Sequence, residues 1–184
     1  MFATTWTHDR LKPKRWKGQQ ANYMQVKYNG HRCTLFMQSK QDGRLLAFGR
    51  KIEAHLEQSE YLADYPWYQQ LLKKLEPFSS IDGELYVPGR PNSEVKTALI
   101  EGWPELQFMP FAIPWWNAKD MSDASLIDTY NMVSNYLELP FAQTLIYEGQ
   151  SEEQLIAMAR DANIEGWVLK NHNYADWWKV KPTE

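Results

Sequence analysis

The sequence predicts an α+β domain in which antiparallel sheets are flanked by helices. Three observations carry that prediction. Short segments of period-two hydrophobicity recur along the chain, singly and in hairpin-like pairs. Segments of helical period lie between some of them but not all, which departs from regular βαβ winding. No internal repeat, low-complexity tract or linker divides the 184 residues, a length that suits one buried core.

The elements follow in order. Residues 1–20 are polar, with Pro13 and Gly18, and are expected to form an irregular or partly helical arm. The period then becomes two, predicting strands over 23–27 and 33–37. Asp42-Gly43 is a hairpin turn signal leading into a partner strand over 44–50. Residues 67–76 have helical period and stop before Pro77; 81–87 form a strand that ends at Pro88-Gly89. Ser93 is placed to cap a short helix over 94–100, closed by Gly102. Residues 107–114 are a buried strand and 123–137 a helix. Ser151 and Gln154 have capping-box spacing and start a helix that ends near Asn163. Strands over 167–170 and 177–181 finish the chain.

Composition excludes several classes. Hydrophobic residues at 43%, charged residues at 23% and a net charge of −3 belong to a folded protein, neither a histone-like polycation nor a disordered chain. Cys33, the single cysteine, has no internal partner for a disulfide, which points to a reducing interior. No apolar run approaches the ~18–20 residues that span a bilayer, and the opening MFATTWTHDR lacks a signal peptide's apolar segment. The expectation is therefore a cytoplasmic protein without a membrane partner, in its own cell or, if viral, in the host's. Nine Trp make a heavy aromatic load, suited to core or to base stacking.

Charge is unevenly spread. Residues 1–51 hold eleven basic side chains against Asp9 and Asp42, while the remainder holds nine against 21 acids. Lys14, Arg15 and Lys17 lie in this basic segment. It is either a polyanion-binding arm or a solvated basic terminus.

Three short stretches could carry chemistry. In Lys27-Tyr28-Asn29-Gly30-His31-Arg32 a lysine ends a strand just before a turn. A lysine amine is nucleophilic only when neutral, which requires desolvation or nearby cations; the plain alternative is a hairpin corner. In Asp82-Gly83-Glu84-Leu85 two carboxylates share a strand face. Like charges so placed call for a cation or a hydroxyl-rich ligand nearby, unless they sit solvated on an edge strand. Glu165-Gly166-Trp167-Val168-Leu169-Lys170 opens a strand with an acid-glycine pair, which equally suits a turn after a helix.

Their joint order is more specific. KxNGxR, DGEL, the aromatic strand Phe108-Met109-Pro110-Phe111, EGWVLK and Trp178-Lys179-Val180-Lys181 follow one another from about Gln25 to Lys181. This series resembles the covalent nucleotidyltransferase superfamily of ATP-dependent DNA and RNA ligases and mRNA capping enzymes. It is most similar to the adenylation domain of an ATP-dependent DNA ligase.

The resemblance implies a ligase-type nucleotidyltransferase domain over residues 1–184. Lys27 would attack the α-phosphorus of ATP and hold AMP as a phosphoramidate. Lys179 and Lys181 would contact the α-phosphate, Arg32 the ribose, and Arg50 a phosphate of nucleotide or nick. Glu84 would bind a ribose hydroxyl or Mg²⁺, with Asp82 and Glu165 as further Mg²⁺ ligands. Phe111 would stack on the purine, and Gln25 and Val26 would lie at the adenine edge. Asn29, with Lys14, Arg15 and Lys17, would meet nucleic acid. The implied partner is nicked DNA, RNA being the alternative.

Some positions depart from the family pattern. Asn29 stands where most ligases have Asp, keeping the shape and losing the charge, and Ala112 follows the stacking phenylalanine where Asp is frequent. The sequence stops three residues after Lys181, where the family continues into an OB-fold domain, so the expectation is no OB-fold in this chain, which leaves a separate OB-fold subunit as a further partner, a minimal ligase that works without one, or a naturally reduced relative. DGEL followed by Gly89-Arg90-Pro91-Asn92 looks like the DNA-ligase version. An RNA ligase, a capping-type guanylyltransferase and a weakly catalytic nucleotide- or nucleic-acid-binding subunit are the alternatives.

Overall fold

The computed structural model describes residues 13–49, 59–172 and 177–182. Arg50, and with it the end of the strand expected over 44–50, lies outside the described residues.

The described residues form two five-stranded sheets. The first has the order β1 (Lys14–Arg15), β10 (Trp177–Val180), β9 (Gly166–Lys170), β2 (Tyr23–Lys27), β8 (Thr144–Ile146). The second has the order β4 (Leu46–Phe48), β3 (His31–Met37), β5 (Ser79–Tyr86), β6 (Gln107–Trp116), β7 (Lys119–Asp120). All pairings are antiparallel except β1 with β10. The expected antiparallel α+β architecture is what the chain adopts.

The crossing between sheets happens at Tyr28-Asn29-Gly30. Lys27 ends a strand of the first sheet and His31 begins one of the second. This is a passage from one layer to the other, not a hairpin, and it leaves Lys27 at the seam. A Cβ on Gly30 would lie 2.1 Å from the Leu85 carbonyl oxygen, so only glycine lets the chain pass β5 there.

Each sheet buries its outer face. On the second, Leu35, Met37, Ile81, Leu85, Phe108 and Ile113 pack with Leu62, Tyr68 and Leu71 of α1 (Ser59–Leu62) and α2 (Pro66–Lys74), and with Ala98 and Leu99 of α3 (Val95–Glu101). On the first, Met24, Trp167, Leu169, Trp178 and Val180 pack with Leu155 and Ala159 of α5 (Glu152–Asp161). A fully buried side chain of this kind contributes about 1.5–3 kcal/mol. Strand alternation then turns the other set of side chains inward, where Ala112, Trp177, Phe111 and Val168 form a small cluster between the sheets.

Local signals account for most boundaries. Ser151 and Gln154 make the full capping box, and Gly102 closes α3 at φ 69°. Ser93 does not cap α3; a 3₁₀ turn, Asn92–Glu94, occupies the entry and the N-cap is Glu94, with no side-chain cap. The helix expected over 123–137 starts later, as α4 (Leu126–Asn131) capped by Ser125, and widens to a π turn over Met132–Tyr136. The arm is neither irregular nor helical at Lys14–Arg15. Trp16 is buried in the first core with its indole donating to the Gln19 carbonyl at 2.9 Å, and this anchor lays β1 along β10.

Candidate active site

Register decides which side chains meet. In the first sheet Lys27 pairs with Gly166, Gln25 with Val168 and Thr144, Lys170 with Tyr23 and Trp177, and Lys179 with Val168 and Arg15. These residues share the inward face. Opposite them, the second sheet offers Arg32, Thr34, Asp82 and Glu84, paired Arg32 with Glu84 and Thr34 with Asp82.

Lys27 donates from Nζ to Glu165 Oε2, and both side chains keep about a fifth of their surface open, at 23% and 22%. Gly166 permits the contact. At φ 156°, a Cβ there would lie 2.3 Å from the Val180 carbonyl oxygen and 3.0 Å from Lys181 Cα. The glycine of EGWVLK thus serves close strand approach, and it brings the Lys181 backbone beside the Lys27–Glu165 pair. The Lys181 side chain is exposed and that of Lys179 half-buried.

Glu84 is half-buried near this pair. Burial pushes its carboxyl up to about 7; the Lys27 charge opposes the rise, and the Asp82 and Glu165 carboxylates add to it. Asp82 differs. It is fully buried and accepts from Arg32 Nε at 3.1 Å, from Arg32 Nη2 and from Thr34 Oγ1 at 3.1 Å. Its charge is met by protein donors, which fixes Arg32 between β3 and β5.

Phe111 stands edge-on to Trp177, centroids 5.5 Å apart at 76°, with the Arg32 guanidinium 5.9 Å from its ring centre. Gln25 is buried, its Nε2 held by Thr144 and Ala142. Val26 turns its side chain into the first sheet's outer core, away from the face that carries Gln25 and Lys27. Asn29 is exposed in the crossover. Lys14 and Arg15 are exposed on opposite faces of β1, and Arg15 shares its face with Lys179; Lys17 is exposed beyond them.

Two inward residues escaped the sequence reading. Lys170 is fully buried; its Nζ donates to the Phe111 carbonyl at 3.1 Å and lies 3.8 Å from the Trp177 ring centre. Burial holds its pKa well below the lysine range, with Asp82 opposing and Arg32 reinforcing. The available signal was a charge ending an apolar run, Trp167-Val168-Leu169, on a strand paired from both sides. Thr144 lies on a strand too short for its pattern to register.

Among the described residues there is no cluster of three or more His, Cys, Asp or Glu side chains able to hold a metal. Glu165, with about a fifth of its surface open, and the half-buried Glu84, whose field reaches Lys27, nonetheless fit Mg²⁺, which takes one or two carboxylates and completes its shell with water and phosphate oxygens.

No protein-family model matches the chain, and no curated protein does. Solved structures match throughout its length. A mycobacterial DNA ligase D complexed with ATP superposes with a TM-score of 0.67 at 17% identity, over 96% of this chain and 62% of that one. An archaeal ATP-dependent RNA ligase gives 0.63 at 16%, over 92% and 47%. The ATP-dependent DNA ligase of bacteriophage T7 with ATP gives 0.60 at 15%, over 96% and 69%. The chain spans 62% of the mycobacterial chain's length, and its two sheets follow an arrangement that solved DNA and RNA ligases share: it has the ligase-type nucleotidyltransferase fold.

Proposed function

We propose that this chain is the adenylation domain of an ATP-dependent polynucleotide ligase of DNA type, with Lys27 as its nucleophile. The observation that carries this reading is the Lys27–Glu165 bond at the seam of the two sheets, within reach of the Glu84 field. A lysine in that place is held by a carboxylate that can take its proton, and Lys179 lies on the same sheet face two strands away.

The chemistry runs in three transfers. The Lys27 ammonium passes one proton through Glu165 to water; the neutral Nζ then attacks the α-phosphorus of ATP in line, the P–N bond forms, the bond to pyrophosphate breaks, and the second proton leaves to water. Lys179 and Lys181 supply positive charge to the α-phosphate oxygens. Mg²⁺, held by Glu84 and Glu165, would add countercharge to the phosphates. AMP then passes from Lys27 to a 5′-phosphate, and a 3′-hydroxyl displaces AMP to seal the strand. Arg32, fixed by Asp82, is aimed at the ribose, and Phe111 offers its ring to the base, a stacking contact of about 1–3 kcal/mol.

DNA is favoured by the DGEL strand followed by Gly89-Arg90-Pro91-Asn92. The test is incubation with α-phosphate-labelled ATP and Mg²⁺, followed by nicked DNA or nicked RNA. Acid-labile label on the protein that moves to DNA supports the reading. Transfer to RNA instead moves it to the RNA ligases, labelling by GTP alone to the capping enzymes, and absence of label under all conditions overturns it.

A further inference from the structure

One edge of the first sheet gathers cations on its inward face. Trp16 holds β1 there: its ring is buried in the outer core, edge-on to Tyr147 at a centroid distance of 6.4 Å, and its backbone N–H donates to the Lys179 carbonyl at 3.3 Å. With Trp16 facing outward, alternation turns Arg15 inward. Register then sets Arg15 beside Lys179, Lys179 beside Val168, and Val168 beside Gln25. One row of inward side chains thus crosses four strands and ends on an arginine. Arg15 and Lys181 are exposed and Lys179 is half-buried. Among the described residues no carboxylate pairs with any of the three. In the other direction, toward β8, the row continues through Gln25 to Thr144, both uncharged.

Direction matters here, because in-line attack puts the leaving group on the side of the phosphorus opposite to the nucleophile. From Lys27 on β2, the cationic side of this face lies across β9, at β10 and β1. β1 is three strand spacings from β2, about 14 Å. We infer that Arg15 binds the β- and γ-phosphates of the nucleoside triphosphate, drawing them with Lys179 toward the β1 edge and away from Lys27. When the bond from the α-phosphorus to the bridging oxygen breaks, its electron pair stays on pyrophosphate. The guanidinium, a two-pronged donor suited to phosphate, meets that added charge. The inference rests on the reading of the cleft as a nucleoside triphosphate site.

The test is equilibrium binding of AMP and of α,β-methylene ATP, whose carbon bridge blocks loss of pyrophosphate, to the whole chain and to Arg15→Gln, Arg15→Ala and Lys14→Gln. Nucleic acid is left out, since a strand phosphate offers the same chemistry. Both Arg15 variants should weaken the triphosphate analogue about five- to tenfold, the scale of one charge-assisted contact open to water, and leave AMP within about twofold. Lys14→Gln, one residue away on the opposite face, should leave the ratio of the two affinities unchanged. If one Arg15 variant fails to fold, the other reads the same ratio. Equal weakening of both ligands would make Arg15 a structural residue, and an equal change of ratio in Lys14→Gln would make the effect one of diffuse charge. Either result, or a ratio indifferent to Arg15, overturns the inference. An Arg15-dependent ratio without an adduct from ATP on the wild type would sink the adenylation reading and leave this one standing. Adduct formation with an Arg15-independent ratio would do the reverse, and binding of neither ligand would overturn both.

Discussion

Lys27 and Glu165, 138 positions apart in sequence, are hydrogen-bonded to each other across the junction of β2 and β9. The pairing of Lys27 with Gly166 makes this geometry unavoidable, because the acid precedes the glycine that lies opposite the lysine. Glu165→Gln keeps the size and removes the charge. Since both groups are partly open to water, the stability cost should stay under about 1 kcal/mol. The adenylation rate should fall on the order of a hundredfold or more, the scale of losing one oriented charged group at a reacting centre. Unchanged single-turnover rates would make the pair a surface ion bridge.

Glu84 gives the site a pH signature. Its carboxyl is raised from 4.5 to about 7, chiefly by burial. Between those values the folded chain holds a proton that the unfolded chain has released. The stability this group contributes is fully present below the unfolded pKa and is lost as pH rises through the folded one. The wild type should therefore lose about 3 kcal/mol relative to Glu84→Gln between pH 4.5 and 7. Paired thermal melts across that range measure it, and parallel curves would contradict the assignment.

Asp82 and Arg32 test whether a carboxylate next to Glu84 serves a cation or the fold. Arg32→Met leaves Asp82 buried without its main partner and should cost about 3–5 kcal/mol, a Tm drop of about 10 °C for a domain of this size. Asp82→Asn should leave the Mg²⁺ dependence of adenylation in place, whereas Glu84→Gln should shift it to higher concentration. A tenfold shift in Asp82→Asn would return Asp82 to the ligand set.

These distinctions mark what the sequence could and could not convey. Its spaced motifs located the strands that bear Lys27, Glu84, Glu165 and Lys179, because period-two alternation and glycine placement are local properties. It could not separate Asp82 from Glu84: which of two acids on one face is neutralised depends on Arg32 and Thr34 in a different strand. Val26 was likewise assigned to the base edge by adjacency to Lys27, although alternation sends its side chain to the opposite core. Thr144 was missed because β8 is three residues long and takes its structure from β2, not from its own pattern. β1 was missed for a similar reason, its position being set by the burial of Trp16.

The same alternation divides the basic arm. Arg15 shares a face with Lys179, and Lys14 lies on the other. Arg15→Ala should reduce the slope of log affinity for nicked DNA against log salt by about 0.9, one phosphate contact, while Lys14→Ala should change it less. Equal effects would mean a diffusely charged terminus.

The central claim is a bond between Lys27 and phosphorus. Peptide-mapping mass spectrometry after incubation of the whole chain with ATP and Mg²⁺ measures it directly. The account predicts an acid-labile AMP adduct on the peptide containing Lys27, absent in Lys27→Ala. An adduct on another lysine, or unmodified protein after exposure to each of the four ribonucleoside triphosphates, would contradict it.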